Sequence, residues 1–280
     1  MKYIKSPLNY TGGKYKLLNQ ILPLFPKDIN TFVDLFAGGC NVSINVISNN
    51  KLCNDLEEHV IDFYNNIKQY SGDKVKNIIL NNISKYELSK TNSEGFNKCR
   101  EDYNKNKSWD MFYTVVTHSF NNQIRYNNNG DYNMPFGKNR SSFNPSLQEK
   151  LVRFVDSIDE TFTFVNNDFR EVNIDNLTDE DFVYCDPPYL ITTATYNEKG
   201  GWTEKEEKDL LELLDKLNDK GVKFALSNVF ECKGKSNDIL KDWSKKYNIH
   251  YIDSNYGNCS YHTKNKSKNS TVEVIITNYK

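Results

Sequence analysis

Short runs of β-branched and aromatic residues alternate with helical patterns along most of the chain. The runs that predict strands are TFVDLF (31–36), KLCNDL (51–56), TFTFVNND (161–168), DFVYCD (181–186), VKFALSN (222–228) and TVEVIITNY (271–279). Strands that alternate with helices form largely parallel sheets, and the helices cover both faces. The pattern therefore predicts an α/β core built around such a sheet.

The clearest helical pattern is TEKEEKDLLELLDKLNDKG at 203–221. Thr203 and Glu206 have the spacing of a capping box, and Gly221 suits the turn that ends a helix. The apolar stripe of this segment consists of Leu210, Leu211, Leu214 and Leu217. We predict one helix here, which covers the sheet between two of the strand runs.

The sequence pattern changes between about residues 60 and 155, where polar, Asn- and Lys-rich helical segments replace the alternation of strands and helices. We therefore predict a core made of residues 1–60 and 155–280, with an insertion at 61–154 that has its own task. Near the end of the insertion, Asn129–Gly130 in RYNNNGDYNMPFGK is a turn signal that predicts a β-hairpin.

Composition and charge limit the function classes. Of the 280 residues 38% are hydrophobic, yet no run approaches the roughly 20 apolar residues of a membrane span, and MKYIKSPLNY lacks the apolar core of a signal peptide. We expect a soluble, cytoplasmic protein. The net charge of −1 argues against nonspecific coating of nucleic acid but permits a local basic cleft. The six cysteines are scattered singly, so reduced thiols and no bound metal are expected.

A glycine-rich turn follows the first strand run in FVDLFAGGCNVS (32–43). Gly38 and Gly39 permit a tight turn and close approach of a ligand to the backbone. Asp34 ends this strand and Asp55 ends the next, 21 residues later, close to the spacing at which a carboxylate meets ribose hydroxyls. The ligand should therefore carry a nucleoside. The full G-x-G-x-x-G is missing, which favours a cofactor without a pyrophosphate.

A second glycine pair, Gly12 and Gly13, lies in LNYTGGKYKLL (8–18). The segment fits a phosphate loop poorly, because the first glycine of that motif is absent and Tyr15 occupies the hydroxyl position. Lys14 has two interpretations that the sequence leaves open. It neutralises a ligand carboxylate, or it belongs to an ordinary N-terminal turn.

The stretch VYCDPPYLITT (183–193) leaves a hydrophobic strand and then places Asp186 before two prolines and Tyr189. Prolines cannot continue a central strand, so these residues lie just past its carboxyl end. An aromatic exocyclic amine is a poor nucleophile, and a catalyst must aim its lone pair at the electrophile. Asp186 and the Pro187 carbonyl can accept the amine hydrogens while Tyr189 stacks on the base. The alternative is a plain turn that ends a strand.

DLFAGG followed by DPPY, with TGGKYKLL near the start, resembles the Dam-like (D12 class, alpha-group) DNA adenine-N6 methyltransferases over nearly the whole chain. The resemblance implies a Rossmann-like S-adenosylmethionine-dependent methyltransferase core and a mainly helical DNA-recognition insertion that ends in a β-hairpin. It also implies that a single methyl group is transferred directly, without an enzyme nucleophile or a metal.

The resemblance implies site residues by position. Asp55 would bind the ribose of the cofactor, and Asp168 with Phe169 would hold its adenine ring. The full set of implied cofactor contacts is Tyr10, Gly12, Lys14, Asp34, Phe36, Gly38, Asp55, Asp168, Phe169 and Asp186. The implied catalytic residues are Asp186, Pro187, Pro188 and Tyr189.

The insertion supplies candidate DNA contacts, because cations pair with phosphates or guanine and Asn or Gln can read adenine. These candidates, with Asn9 from the N-terminal segment, are Asn9, Asn121, Asn122, Gln123, Arg125, Asn133, Pro135, Lys138, Asn139 and Arg140. Aromatic side chains there can wedge into a step from which a base is flipped, and those aromatic residues are Tyr126, Tyr132 and Phe136. Several positions depart from the pattern of GATC-methylating relatives, so the target sequence stays open.

A basic run near the C-terminus, YHTKNKSKNS, offers Lys264, Lys266 and Lys268 either as phosphate contacts or as a solvated charge run. We interpret the chain as a monomeric or weakly associating DNA adenine-N6 methyltransferase. It would act on double-stranded DNA alone, in a phage, or beside a cognate restriction endonuclease. The alternatives are methylation of RNA adenine or protein glutamine, and a catalytically silent DNA-binding protein.

Overall fold

The structure is a computed structural model that describes residues 3–192, 201–253 and 271–280. The chain forms two compact units. The first comprises Met1–Tyr15, Gly38–Asn45 and Asp55–Asn166. The second comprises Lys16–Ala37, Val46–Asn54 and Asn167–Lys280.

The regular elements follow one another in an α/β order. The strands are β1 (Thr31–Asp34), β2 (Asn50–Asn54), β3 (Phe162–Val165), β4 (Phe182–Cys185), β5 (Lys223–Cys232), β6 (Lys235–Ser236), β7 (Asn248–Ile252) and β8 (Val272–Thr277). The helices are α1 (Leu18–Ile21), α2 (Glu58–Ile67), α3 (Gly72–Lys85), α4 (Ser93–Asn106), α5 (Trp109–His118), α6 (Pro145–Val155), α7 (Glu204–Asp219) and α8 (Asp238–Ser244). Short 3₁₀ segments span Lys14–Leu17, Leu22–Leu24, Ser43–Asn45, Phe120–Asn122 and Phe169–Glu171.

The sheet of the second unit has the order β2-β1-β4-β5-β8-β7, with β6 paired to β5. Strands β2, β1, β4 and β5 are parallel, which confirms the predicted α/β core. Strands β8 and β7 run antiparallel to their neighbours, although the sequence pattern suggested only a largely parallel sheet. Hydrophobic periodicity encodes which face of a strand is buried and says nothing about its direction.

All four residues of β4 are buried. Since successive side chains of a strand point to opposite faces, both faces of β4 are covered. Val183 and Cys185 belong to a core cluster with the leucines of α7. On the other face, the Phe25 ring lies 4.7 Å from the Phe182 ring and 5.3 Å from the Tyr184 ring, centroid to centroid. The strand is therefore packed on both faces, and the DPPY segment follows directly.

Helix α7 has the predicted boundaries. The capping box of Thr203 and Glu206 is formed, with the Thr203 hydroxyl accepting from the Lys205 N–H at 3.1 Å. The stripe leucines Leu210, Leu211, Leu214 and Leu217 are all buried. Gly221 adopts φ +79° just past the helix, where a side chain would be strained.

The first unit is mainly helical and contains α2 to α6 and β3. Its interior is aromatic: the Phe63 ring stacks on Tyr113 at 5.0 Å, and the Tyr64 ring stacks on Phe164 at 5.1 Å, centroid to centroid. Asn side chains accept backbone N–H groups at the starts of α4 and α6. Two asparagines of this segment, Asn92 and Asn144, therefore serve as helix N-caps.

A hairpin follows α5 and is closed by two isolated antiparallel bridges, Ser119 with Phe136 and Tyr126 with Tyr132. Its turn is one residue longer than the predicted Asn129–Gly130 pair. The Asn127 N–H donates to the Asp131 carbonyl at 2.8 Å, and Gly130 takes φ +77°. This is the three-residue loop in which the glycine follows a type I turn. Among the described residues, no helix has the length and apolar composition needed to cross a membrane.

Candidate functional site

The glycine turn of the first unit is organised around Asp55. The Gly38 N–H donates to Asp55 Oδ2 at 2.7 Å, and the Tyr10 hydroxyl lies 3.3 Å from Asp55 Oδ1. Gly38 has φ +47°, and a Cβ built on it would lie 2.9 Å from the Tyr10 ring. The Tyr64 hydroxyl donates to the Gly38 carbonyl at 3.0 Å. Three of the predicted cofactor residues, Tyr10, Gly38 and Asp55, therefore lie together.

Asp55 is held as a hydrogen-bond acceptor. Burial raises the pKa of Asp55 above its ordinary value of 3.8, while the N–H groups of Glu57 and Gly38 and the Tyr10 hydroxyl act in the opposite direction. The Glu57 N–H donates to Asp55 Oδ1 at 2.9 Å. These donors fix the orientation of the carboxylate, and an oriented carboxylate is suited to a ribose diol.

Lys14 and Gly12 also lie in this unit. Lys14 is 3% exposed, and its Nζ donates to the Gly12 carbonyl at 3.0 Å. Gly12 adopts φ +80°, and a Cβ on it would meet no atom within 4 Å. The lysine therefore closes the turn of TGGK. Its predicted contact with a ligand carboxylate stays a prediction.

The acidic corner of the second unit lies where β1 and β4 end. These strands are parallel neighbours, with Asp34 opposite Tyr184, so Asp186 follows at the same edge of the sheet. Asp34 is 2% exposed, whereas Asp186 is half-buried. The pKa of Tyr184 is raised well above its ordinary value by burial and then by the charges of Asp186 and Asp34. The carboxylates of Asp34 and Asp186 therefore both raise the pKa of Tyr184 at this corner.

The DPPY segment makes its own hydrogen bonds at this corner. The Tyr189 hydroxyl lies 3.0 Å from Asp186 Oδ1, 3.2 Å from Ser227 Oγ and 3.4 Å from Glu273 Oε1. Pro187 is buried, and Pro188 and Tyr189 are half-buried. Burial, then the charges of Asp186 and Glu273, raise the pKa of Tyr189 well above its ordinary value. The phenol therefore stays protonated and can donate.

Three aromatic rings of the second unit, including that of Phe36 just after β1, lie together. The Phe36 ring lies 5.5 Å from Phe169 and 5.6 Å from Trp202, and Phe169 lies 5.5 Å from Trp202, all between centroids. The Trp202 Nε1–H donates to Glu207 at 2.6 Å. Phe36 and Phe169 were both predicted as cofactor contacts, and they lie in one aromatic group with Trp202.

Asp168 has a strong partner within its own segment. Arg170 donates from Nε to Asp168 Oδ1 and from a terminal nitrogen to Oδ2, each at 2.8 Å. The Arg170 side chain therefore holds the pKa of Asp168 below its ordinary value. Both carboxylate oxygens are thus engaged by the guanidinium, and the predicted contact with an adenine ring stays a prediction.

The candidate DNA residues of the first unit cluster on the hairpin and the turn before it. Asn121 and Asn122 adopt φ +57° and +53°, and Asn139 adopts φ +61°. The Asn9 amide donates to the Asn121 carbonyl at 2.7 Å, and the Asn122 amide donates to the Thr117 carbonyl at 2.7 Å. Asn9 and Asn122 therefore shape the backbone of this turn.

Arg125 is exposed and pre-oriented. Its Nε donates to Asn133 Oδ1 at 2.8 Å, and a terminal nitrogen donates to the Asn133 carbonyl at 3.2 Å. A guanidinium held in this way presents its remaining donors in a fixed direction. The other predicted contacts on this surface are Gln123, which is half-buried, and Pro135, Lys138, Asn139 and Arg140, which are exposed.

Tyr126 and Tyr132 do not reach the surface, so the expectation that they serve as wedges was wrong. Tyr126 is 8% exposed and Tyr132 1% exposed. The Tyr126 and Tyr103 hydroxyls are hydrogen-bonded at 2.6 Å, and the Tyr132 hydroxyl donates to the Gln123 carbonyl at 2.7 Å. These tyrosines form the interior beneath the hairpin. Phe136 is half-buried, with its ring 5.2 Å from Phe96.

Sequence reasoning missed Phe120 as a surface residue. Phe120 is 39% exposed, and the Arg140 guanidinium lies 4.8 Å from its ring centroid. Ser227, Glu273 and Trp202 were missed as well. A signal existed for Glu273, because a glutamate between Val272 and Val274 interrupts an otherwise apolar strand.

Some predictions fall outside the described residues. Lys264, Lys266 and Lys268 lie there, with Tyr261 and His262. Within residues 3–192, 201–253 and 271–280, no group of three or more His, Cys, Asp and Glu side chains could hold a metal ion. No disulfide links the cysteines of those same residues, all of which are buried.

Comparisons with known proteins identify relatives. The family model described as D12 class N6 adenine-specific DNA methyltransferase matches residues 10–258. The chain is 49% identical to type II methyltransferase M.FokI of Planomicrobium okeanokoites and 47% identical to modification methylase StsI of Streptococcus sanguinis, over 99% of this chain in both cases. It spans only 43% of the length of each of those two proteins. It is 25% identical to the DNA adenine methylase of Escherichia coli strain K12, over 90% of this chain and 88% of that protein.

Proposed function

Because the chain belongs to the D12 class of N6 adenine-specific DNA methyltransferases, we propose that it transfers a methyl group from S-adenosylmethionine to the N6 amine of an adenine in double-stranded DNA. The observation that carries the proposal is the acidic corner at the ends of β1 and β4. There the half-buried Asp186 follows a strand whose residues are all buried and precedes two prolines. This is the placement that alignment of a weakly nucleophilic amine requires.

The residues of the glycine turn fit a nucleoside-bearing cofactor. Gly38 leaves a space at the Tyr10 ring that a Cβ would close, and Asp55 is an oriented acceptor for ribose hydroxyls. The half-buried Phe36 offers aromatic surface for a purine ring, and the buried Phe169 packs against it. When bound, S-adenosylmethionine supplies an electrophilic methyl group on a sulfonium.

Asp186 and the Pro187 carbonyl would accept the two hydrogens of the target amine. Accepting both hydrogens turns the nitrogen lone pair out of conjugation with the ring, and this raises the nucleophilicity of the amine in the transition state. The prolines fix the φ angles of the segment, so the acceptors keep their direction without further ordering. Tyr189 offers its ring to the base face.

A target amine inside a duplex is reached only when its nucleotide is flipped out. We propose that Phe120 fills the space that the base leaves, because it is an exposed aromatic side chain on the same turn as the candidate base readers. The Arg140 guanidinium that lies over its ring holds it outward and provides positive charge for phosphates.

The names of two relatives support a proposal for the biological setting. The two relatives at 49% and 47% identity are named a type II methyltransferase and a modification methylase. We propose that this chain also modifies DNA within a restriction-modification system, beside a cognate endonuclease. It would then act on DNA in the bacterial cytoplasm.

The experiment that tests the proposal offers the protein labelled S-adenosylmethionine together with duplex DNA, RNA or protein. We expect label only in duplex DNA, on adenine N6. The variant Asp186→Asn should lose at least about a hundredfold in rate, because the amide has no negative charge to attract the amine hydrogens in the transition state. Label in RNA or in a glutamine side chain would contradict the proposal, and so would an unchanged rate for Asp186→Asn.

Asp181→Asn is the matched control. Asp181 is 4% exposed and directly precedes β4, whereas Asp186 follows the same strand. It accepts from the Thr31 N–H at 2.9 Å and the Thr178 N–H at 2.9 Å. Loss of its charge should therefore lower stability and leave the methylation rate of the folded enzyme unchanged.

A further inference from the structure

Glu273 is a buried carboxylate on β8, a strand that pairs with β5 on one side and β7 on the other. It lies on β8 between Val272 and Val274 and is 2% exposed. Burial of a carboxylate is unfavourable unless hydrogen bonds or charges compensate it. A carboxylate kept in such a position beside the DPPY segment is a candidate for a functional role.

Glu273 and Ser227 approach the DPPY segment from two neighbouring strands. In the antiparallel pair of β5 and β8, Ser227 lies opposite Ile275, two residues from Glu273. Residues two apart on a strand share a face, so the two side chains are diagonal neighbours on one face. Ser227 is fully buried. Both side chains reach the same group, the Tyr189 hydroxyl, at 3.2 Å and 3.4 Å.

The Tyr189 hydroxyl has one proton, and three oxygens around it can accept that proton. Asp186 Oδ1 is one of them, at 3.0 Å. When the phenol donates to Asp186, one lone pair of that carboxylate is engaged and the oxygen is a weaker acceptor for an amine hydrogen. Glu273 is a second carboxylate that can accept this proton. When the phenol donates to Glu273, Asp186 is a stronger acceptor for an amine hydrogen.

We propose that Glu273 and Ser227 are positioning residues that hold the Tyr189 hydroxyl, drawing its proton away from Asp186 and fixing the plane of the Tyr189 ring. The proton stays on Tyr189 throughout, so no bond is formed or broken in this step. Asp186 keeps both oxygens as acceptors for the target amine, and the ring keeps one orientation toward the base. This inference rests on the proposed adenine methylation.

The test is a double-mutant cycle in the full chain with duplex DNA, measuring kcat and the KM values of DNA and cofactor. We expect Glu273→Gln to lower kcat about tenfold and to change either KM less than about twofold, because a weaker acceptor affects only alignment in the transition state. Tyr189→Phe keeps the ring and removes the hydroxyl. The double variant should have the kcat of Tyr189→Phe alone, since Glu273 acts through that hydroxyl.

Ser227→Ala provides a second route if Glu273→Gln does not fold. It removes the other group that touches the hydroxyl and should likewise have no further effect on kcat in a Tyr189→Phe background. The melting temperature of each variant, with Asp181→Asn as the control, separates loss of fold from loss of alignment.

The outcomes distinguish this inference from the proposed function. Suppose that the wild type methylates adenine and that the fold losses in kcat for Glu273→Gln and Tyr189→Phe multiply in the double variant. This result would overturn the inference alone. A wild-type protein that places no methyl group on adenine N6 would overturn the proposed function, and the inference with it.

Discussion

Gly38 leaves almost no room for another residue. Its φ of +47° strains any side chain, and its Cα faces the Tyr10 ring so closely that a Cβ would lie 2.9 Å from two ring atoms. The same residue donates its N–H to Asp55. A change here therefore moves both the aromatic wall and the proposed ribose acceptor.

Gly38→Ala should weaken cofactor binding at least about tenfold, since strain in the left-handed region costs about 1–2 kcal/mol and the Tyr10 ring must also shift. Isothermal titration with S-adenosylmethionine measures the effect. Gly234→Ala is the matched control, because Gly234 has φ +80° but a Cβ at that position would meet no atom within 4 Å. Equal affinities for the two variants would contradict the explanation.

Phe120→Ala should impair methylation of paired duplex DNA more than methylation of a target adenine placed in a mismatch. A wedge compensates for unstacking and unpairing, and a mismatched base is cheaper to flip. We expect a loss of about tenfold or more on paired DNA and recovery of most of it on the mismatched duplex. The same loss on both substrates would show that the ring has another role.

At the scale of elements, helix α7 begins with a capping box and, in the same turn, a buried glutamate. The capping box lies on its exposed first turn, while Glu207 on the same turn is 1% exposed. Glu207 accepts from the Trp202 indole at 2.6 Å and from the Asn237 amide at 2.8 Å. The helix start is thus joined to the aromatic group and to the segment before α8.

Thr203→Ala should lower the free energy of unfolding by about 1 kcal/mol, as for other N-cap losses. The melting temperature should fall by about 2–4 °C, measured by calorimetry. Thr203→Ser keeps the hydroxyl acceptor and should remain near the wild type. Equal losses for the two variants would indicate that the methyl group, rather than the cap, is what matters.

Glu207 should make the stability of the protein depend on pH. Burial raises the pKa of Glu207 above its ordinary value of 4.5, against hydrogen bonds from Trp202, Asn237 and Asn228 that lower it. A raised folded-state pKa contributes stability that is fully present below the unfolded value and is lost as pH rises through the folded value. Wild type should therefore gain stability relative to Glu207→Gln on acidification from neutral pH toward 4.5.

Urea unfolding of wild type and Glu207→Gln at neutral pH and near pH 4.5 measures this difference. The amide keeps an acceptor for the Trp202 indole and removes the charge, so the comparison isolates the ionisation. A difference in unfolding free energy that is the same at both pH values would contradict the assignment to Glu207.

For the whole molecule, the net charge of −1 means that the proposed affinity for DNA must come from local groups. The exposed cations among the candidate contacts are Arg125, Lys138 and Arg140. They lie on one short stretch of the first unit, next to the exposed Phe120. Such a patch can bind phosphates although the protein as a whole is slightly acidic.

Neutralising Arg125, Lys138 and Arg140 to Gln should reduce the slope of log affinity for duplex DNA against log salt by about 3, roughly one for each phosphate that is no longer neutralised. Fluorescence anisotropy across a salt series measures this slope. A control with Lys208, Lys245 and Lys246 changed to Gln alters the same charge in the second unit, where each lysine pairs with an acidic residue. An equal change in that control would mean that net charge alone sets the slope.

The sequence by itself determined the features that depend on near neighbours. The strand runs around β1 and β4, the capping box and stripe of α7, and the position of Asp186 just past a strand all follow from periodicity and from proline and glycine chemistry over a few residues. These signals are local, because hydrogen bonds within a helix and the alternation of a strand join residues close in the chain. The membership of the family is readable from the same short motifs.

The tertiary structure decided what depends on distant partners. The antiparallel direction of β8, the burial of Tyr126 and Tyr132, and the exposure of Phe120 could not be read from residue type. Tyr189 and Glu273 are 84 residues apart in the chain and meet only because β8 inserts beside β5. Burial and long-range hydrogen bonds arise from packing of the whole unit, and no window of sequence contains that packing.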